Sequence, residues 1–153
     1  MIPVKYNSKQ KFYFLSTDNT LDGKTIYPRV PKRRMVRENC ITRRICIAPN
    51  IYGSLKALPL ENGSIFTVYQ VNVTEKSKIA QPQCNDVLDA FYTHEHWCLS
   101  KVSLTKIGTI KVNSYEDNML HKKDPTVPSY KGCNVLYFNI NKNVKYEWIE
   151  KIK

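Results

Sequence analysis

The chain has 153 residues, 42% of them hydrophobic and 11% aromatic, which is the size and composition of one folded domain spanning 1–153 rather than of a disordered or fibrous chain. No apolar run approaches the roughly 20 residues needed to cross a bilayer, and MIPVKYNSKQK at the start has no apolar stretch of leader length, so a cytoplasmic protein with no membrane partner is expected. The formal net charge of +11 favours polyanionic or acidic partners and says nothing about fold.

The first element read along the chain is an aromatic strand over Lys11–Leu15. Thr17–Gly23 reads as a turn, because Asp, Asn and Gly all accept tight backbone geometry. Pro28 and Pro31 then hold the chain extended, and residues 32–42 form a basic loop. Ile45 and Ile47 alternate in strand fashion. Asn50 is placed to cap a short helix with Ile51, Leu55 and Leu58 on one face, ended by Pro59.

Residues 64–73, SIFTVYQVNV, alternate with period two and read as a strand. Residues 74–93 are mixed, with Pro82 among them. Residues 96–112 read as one or two strands bent near Gly108, and 134–140 with 144–152 as a closing hairpin. A core over about 11–112 with a strand extension over 113–153 follows. The expected class is α+β, a curved, mainly antiparallel sheet with one or two short helices. The five cysteines are scattered at Cys40, Cys46, Cys84, Cys98 and Cys133, and are read as reduced thiols rather than a disulfide framework.

Three groups of residues could carry chemistry. In His94-Glu95-His96-Trp97-Cys98 a strand would place His94, His96 and Cys98 on one face and Glu95 with Trp97 on the other. The first face has zinc-ligand chemistry but no supporting spacing, so no metal is expected. The second makes Glu95 a pocket carboxylate against an aromatic wall, with a plain surface carboxylate as its alternative. Ser16 and Thr17 could bond a ribose or phosphate, or cap the turn that follows. Arg29, held between two prolines, suits a bidentate contact with phosphate or carboxylate, or else an ion pair with Asp22 or Glu38. Between Arg29 and Arg44 lie seven basic residues against the one acid Glu38. That run reads either as a solvated loop or as a site for phosphates, nucleic acid or an acidic protein surface. There is no P-loop, no G-x-G-x-x-G and no G-x-S-x-G elbow.

The order Y-x-L-S at Tyr13–Ser16, L-D-G-K-x-x-x-P-R-x-P from Leu21 to Pro31, R-x-C-x-A-P from Arg44, and W-x-x-x-x-V-x-L-x-x-I-G-x-I-x-V from Trp97 to Val112 resembles a group of proteins of phages and of bacteria rich in mobile elements. Over roughly residues 12–112 the layout is also similar to the ADP-ribosyltransferase-like fold, in particular the small rifampin ADP-ribosyltransferases. This resemblance implies an NAD or nucleotide cleft, with Glu95 as the catalytic carboxylate and Tyr13, Ser16, Arg29, Arg44 and Tyr52 around the cofactor. Ser16 and Arg29 would hold ribose or phosphates, and Tyr13 or Tyr52 would form the nicotinamide wall. Where those transferases carry a ribose-binding His, this chain has Phe14, which can stack but cannot replace the imidazole's hydrogen bonds. The resemblance thus implies ADP-ribosyl transfer or, with the hallmark His missing, ligand binding without catalysis, directed at a host target. The alternative is a non-enzymatic basic protein that engages nucleic acid or an acidic host protein through Lys32, Arg33, Arg34, Arg37 and Arg43.

Overall fold

Strand-forming residues dominate the legible segments, and the computed structural model turns them into two antiparallel sheets. It describes residues 1–32, 38–58, 60–83, 86–87, 93–115 and 144–152, the side chain of Tyr115 excepted. In chain order the elements are β1 (Ile2–Val4), β2 (Tyr13–Ser16), β3 (Thr25–Ile26), β4 (Ile45–Ile47), α1 (Ile51–Lys56), β5 (Ile65–Asn72), β6 (Ile79–Gln81), β7 (His96–Cys98), β8 (Val102–Tyr115) and β9 (Val144–Lys151). One sheet runs β1-β6-β7-β4, and the other β2-β5-β8-β3 with β9 also on β8. Every named strand pair is antiparallel. The class is therefore sheet-dominated α+β, with one short helix among the described residues. No helix among them is long and apolar enough to cross a membrane.

The expected strand over 64–73 is β5, and its two faces organise the core. Phe66 and Val68 join Leu15, Leu55, Ile110 and Val112. Tyr69 and Val71, one residue out of phase, join Phe12, Leu104, Ile45, Ile47, Ile79 and Cys98. The second cluster draws on both sheets, so it forms the layer between them. A strand covered on both faces needs apolar residues in succession, and Phe66 to Tyr69 are all buried.

Asn50 caps α1 as expected: its Oδ1 accepts from the Gly53 amide at 2.7 Å. Leu55 is wholly buried beneath the helix. A Cβ at Gly53 would lie 2.6 Å from the carbonyl oxygen of Thr93, so glycine lets the helix sit directly on the backbone that leads into β7.

The bend expected near Gly108 is a register shift. Val68 pairs with Gly108 but Tyr69 pairs with Lys106, leaving Ile107 as the extra residue of a bulge. Gly108 has φ of 157°, and a Cβ there would clash with the Glu150 carbonyl oxygen and meet the Trp148 ring at 2.7 Å. Gly108→Ala is therefore expected to lower stability by about 1–3 kcal/mol through strain and overpacking. Chemical denaturation checks it, and an unchanged midpoint would mean that β9 can shift freely.

Two short edge strands, β1 and β3, carry no strong periodicity and were not expected. The 144–152 strand is β9; its expected partner over 134–140 lies outside the described residues.

Candidate functional site

The site begins with the alternation of β4. Ile45 and Ile47 enter the layer between the sheets, so Arg44 and Cys46 project from the opposite face. Across the ladder Cys46 pairs with Trp97, and Ile45 and Ile47 pair with Cys98 and His96. Arg44, Cys46, Trp97 and, just before β7, Glu95 therefore gather on the outer face.

Arg44 is the centre of this group. Its side chain is fully buried and bridges Glu38 through Nη2 at 2.7 Å. Nη1 donates to the carbonyl oxygens of Asn39 at 3.0 Å and Thr42 at 2.9 Å. The guanidinium lies 4.2 Å from the Trp97 ring centroid, a cation–π stack inside the protein. Trp97 is wholly buried against Val87. Its indole N–H donates to Glu95 Oε1 at 2.8 Å. The chain thus winds Glu38–Arg44 around its own guanidinium.

Glu95 is 7% exposed. Burial pushes its carboxyl above the ordinary glutamate range, and this outweighs the hydrogen bonds from Cys46 and Trp97 that favour the charged form. Burial, and then the neighbouring Glu95, push the Cys46 thiol well up, so this cysteine is packed rather than reactive. His94, immediately before, has φ of 55°. This left-handed turn leaves His94 exposed while Glu95 points inward.

A cleft of about 1360 Å³ opens beside these residues, which exceeds the roughly 300–1,000 Å³ of ordinary small-molecule sites. Its wall includes Phe14, Ser16, Tyr27, Arg29, Cys46 and Glu95. Of the residues singled out from sequence, it collects Phe14, Ser16, Thr17, Arg29, Arg44 and Glu95. Arg44 contributes to the wall, but its terminal nitrogens are committed to Glu38 and two carbonyls. Tyr13 and Tyr52 stand outside the lining. Tyr13 packs with the Leu55 cluster, and Tyr52 meets Tyr146 edge-on at 5.2 Å, so the tyrosine wall expected for nicotinamide is not formed by them. Lys32 and Arg43 are exposed and outside the lining; Arg33, Arg34 and Arg37 lie outside the described residues.

Ser16 Oγ accepts from the Asp18 amide at 3.0 Å, which is the local capping role; its hydroxyl hydrogen is still available to a ligand. Both acids weighed as partners for Arg29 are used elsewhere. Asp22 accepts from the Lys106 amide at 2.8 Å and Glu38 bridges Arg44. Arg29 is exposed and forms no ion pair among the described residues.

The shared face of His94, His96 and Cys98 divides in two. His96 packs on Phe12 with ring centroids 5.1 Å apart, and burial holds its pKa below the usual value. Cys98 is buried and donates to the Ser100 carbonyl at 3.2 Å, while His94 stays outside. Among the described residues no three His, Cys, Asp or Glu side chains are placed to hold a metal ion.

Sequence reasoning missed Glu38 and Cys46 as neighbours of Glu95. Their only signal is the β4–β7 register, which no local pattern contains. No family model, no curated protein and no solved structure matches this chain.

Proposed function

We propose that this chain is a nucleotide-binding protein of ADP-ribosyltransferase-like layout that uses its cleft mainly to hold a ligand. One observation carries the reading: a single cleft lined by an exposed aromatic ring, Tyr27, an ion-pair-free cation, Arg29, a hydroxyl, Ser16, and a buried carboxyl, Glu95. These are the groups that stack a base, neutralise a phosphate and bond ribose hydroxyls. Phe14 also lines the cleft, in the place where the transferases have a ribose-binding imidazole, and this favours binding over transfer. In a transfer from NAD, Glu95 would offset the positive charge that develops on the ribose as nicotinamide departs. The resemblance to proteins of phages and mobile elements makes a host nucleotide or host defence component the natural target.

A thermal-shift titration with NAD, ADP-ribose and AMP at two salt concentrations tests the proposal. Ligand at about 100 times its dissociation constant should stabilise the fold by roughly 2.7 kcal/mol. Arg29→Ala, an exposed position, should remove most of that shift. Absence of a shift with every nucleotide sinks the cleft reading.

The second reading is a basic protein for polyanions, favoured by the +11 charge and by exposed Arg29, Lys32 and Arg43 close together in the chain. Its mark is an affinity for oligonucleotides that falls by about one log unit per log of salt for each phosphate contact. A ligand enclosed in the cleft responds far less.

A further inference from the structure

The edge of β4 holds a gap that the side chains do not reveal. On its outer side Arg44 exchanges both main-chain hydrogen bonds with Arg29, at 3.0 and 3.2 Å. Four residues on, Ala48 exchanges both with Tyr13, at 3.1 and 2.8 Å. In an antiparallel strand the N–H and C=O of one residue point to the same side, and alternate residues point to opposite sides. Cys46, midway between the two, must therefore aim its N–H and C=O at the same outer edge.

The inner side agrees. Leu99, just after β7, donates to the carbonyl of Lys78, just before β6, at 2.7 Å, so Leu99 and Trp97 bond towards β6, and His96 and Cys98 bond towards Ile47 and Ile45 on β4. Cys46 and Trp97 are a non-bonded pair. Among the described residues nothing bonds the Cys46 main chain on the outer side. The chain segments at Tyr13 and Arg29 both diverge from β4 here, towards β5 and β8, and the cleft opens in the fork between them, with Cys46 in its wall. An N–H and C=O with no partner among the described residues, in a wall that also holds apolar Leu15, Ile45 and Ile47, form a strong and directional recognition element.

We propose that this open main-chain rung of Cys46 reads the base of the bound nucleotide, through a donor and an acceptor side by side on the base's Watson–Crick edge. The inference rests on the nucleotide reading of the cleft. A purine or pyrimidine edge offers that pair in a flat ring, whereas sugar and phosphate offer no flat donor–acceptor pair. The main chain would thus select for a base, and the cleft side chains Arg29 and Ser16 would hold the rest.

The test compares AMP and GMP with ribose phosphate, and with their methylated analogues that lack the Watson–Crick N–H altogether, N6,N6-dimethyl-AMP and 1-methyl-GMP. Calorimetry gives the affinities, and the Cys46 amide resonance reports the contact directly. At least one nucleotide should bind about tenfold or more tighter than ribose phosphate, its methylated analogue should lose that margin, and the Cys46 amide should shift on saturation. Cys46→Pro removes an N–H that no ladder bond uses, which an edge strand tolerates, and should bring the ratio of nucleotide to ribose phosphate affinity towards one. If a nucleotide binds but its methylated analogue binds equally well, or the Cys46 amide does not move, the rung is not the base site and the cleft reading stands. If no nucleotide binds, both fall. Should Cys46→Pro fail to fold, the analogue series and the amide shift on the native chain decide alone.

Discussion

Arg44→Ala is expected to destabilise the fold by about 3–5 kcal/mol, the loss typical of removing one partner from a buried ion pair. The deletion leaves Glu38 partly buried without its cation, releases the Asn39 and Thr42 carbonyls, and opens the space over Trp97. Each of these losses acts on the same loop, so they will not add as independent terms. Arg44→Lys should recover only part of the loss, because an ammonium cannot serve two carbonyls and a carboxylate from one plane while stacking on an indole. Urea denaturation of the two variants checks this. A loss under about 1 kcal/mol for Arg44→Ala, the range of exposed ion pairs, would show that the guanidinium is not the post around which Glu38–Arg44 is wound.

Glu95→Gln should move stability and binding in opposite directions. The isosteric amide keeps an acceptor for the Trp97 indole but carries no charge to desolvate. Burial raises the folded-state pKa of Glu95 above its unfolded value, so the carboxyl's contribution is fully present below 4.5, the ordinary glutamate value, and is lost as pH rises through the folded pKa. The variant should therefore melt higher than the native chain at neutral pH, with the difference shrinking as the pH falls towards 4.5. At pH values above the folded pKa, where the native carboxyl is charged, nucleotide affinity should drop by about ten- to a hundredfold, the worth of a hydrogen bond to a charged group. A residue whose removal stabilises the protein while disabling it is one kept for function. Melting curves and calorimetry across pH supply both readouts. If Glu95→Gln melts lower at every pH and binds normally, Glu95 is a structural acid that holds Trp97 and nothing more.

Much of this could be read along the chain. The period-two run of β5, the Asn50 cap and the Ile51 and Leu55 face of α1 are signals carried within a few residues and formed as expected, whereas α1 ends at Lys56 and Leu58, expected on its face, packs against the same cluster from beyond the helix. Gly108 was legible as a break for the same reason. The pairing of Glu95 with Trp97 followed from strand alternation alone. By contrast, β1 and β3 are short edges held by Gln81, Val102 and their neighbours, and nothing in IPV or TI announces a partner so distant in sequence.

The site divides in the same way. Composition and local periodicity determined a sheet-dominated domain with a short capped helix and a positive charge, because these depend on residues that are neighbours in the chain. Only the tertiary structure decided that Arg44 is an internal post rather than a free phosphate ligand, that Tyr13 and Tyr52 stand outside the cleft, and that Cys46 offers an open rung within it. Those outcomes depend on which strand lies beside β4 and in what register, and a one-residue slip would exchange the two faces of the sheet.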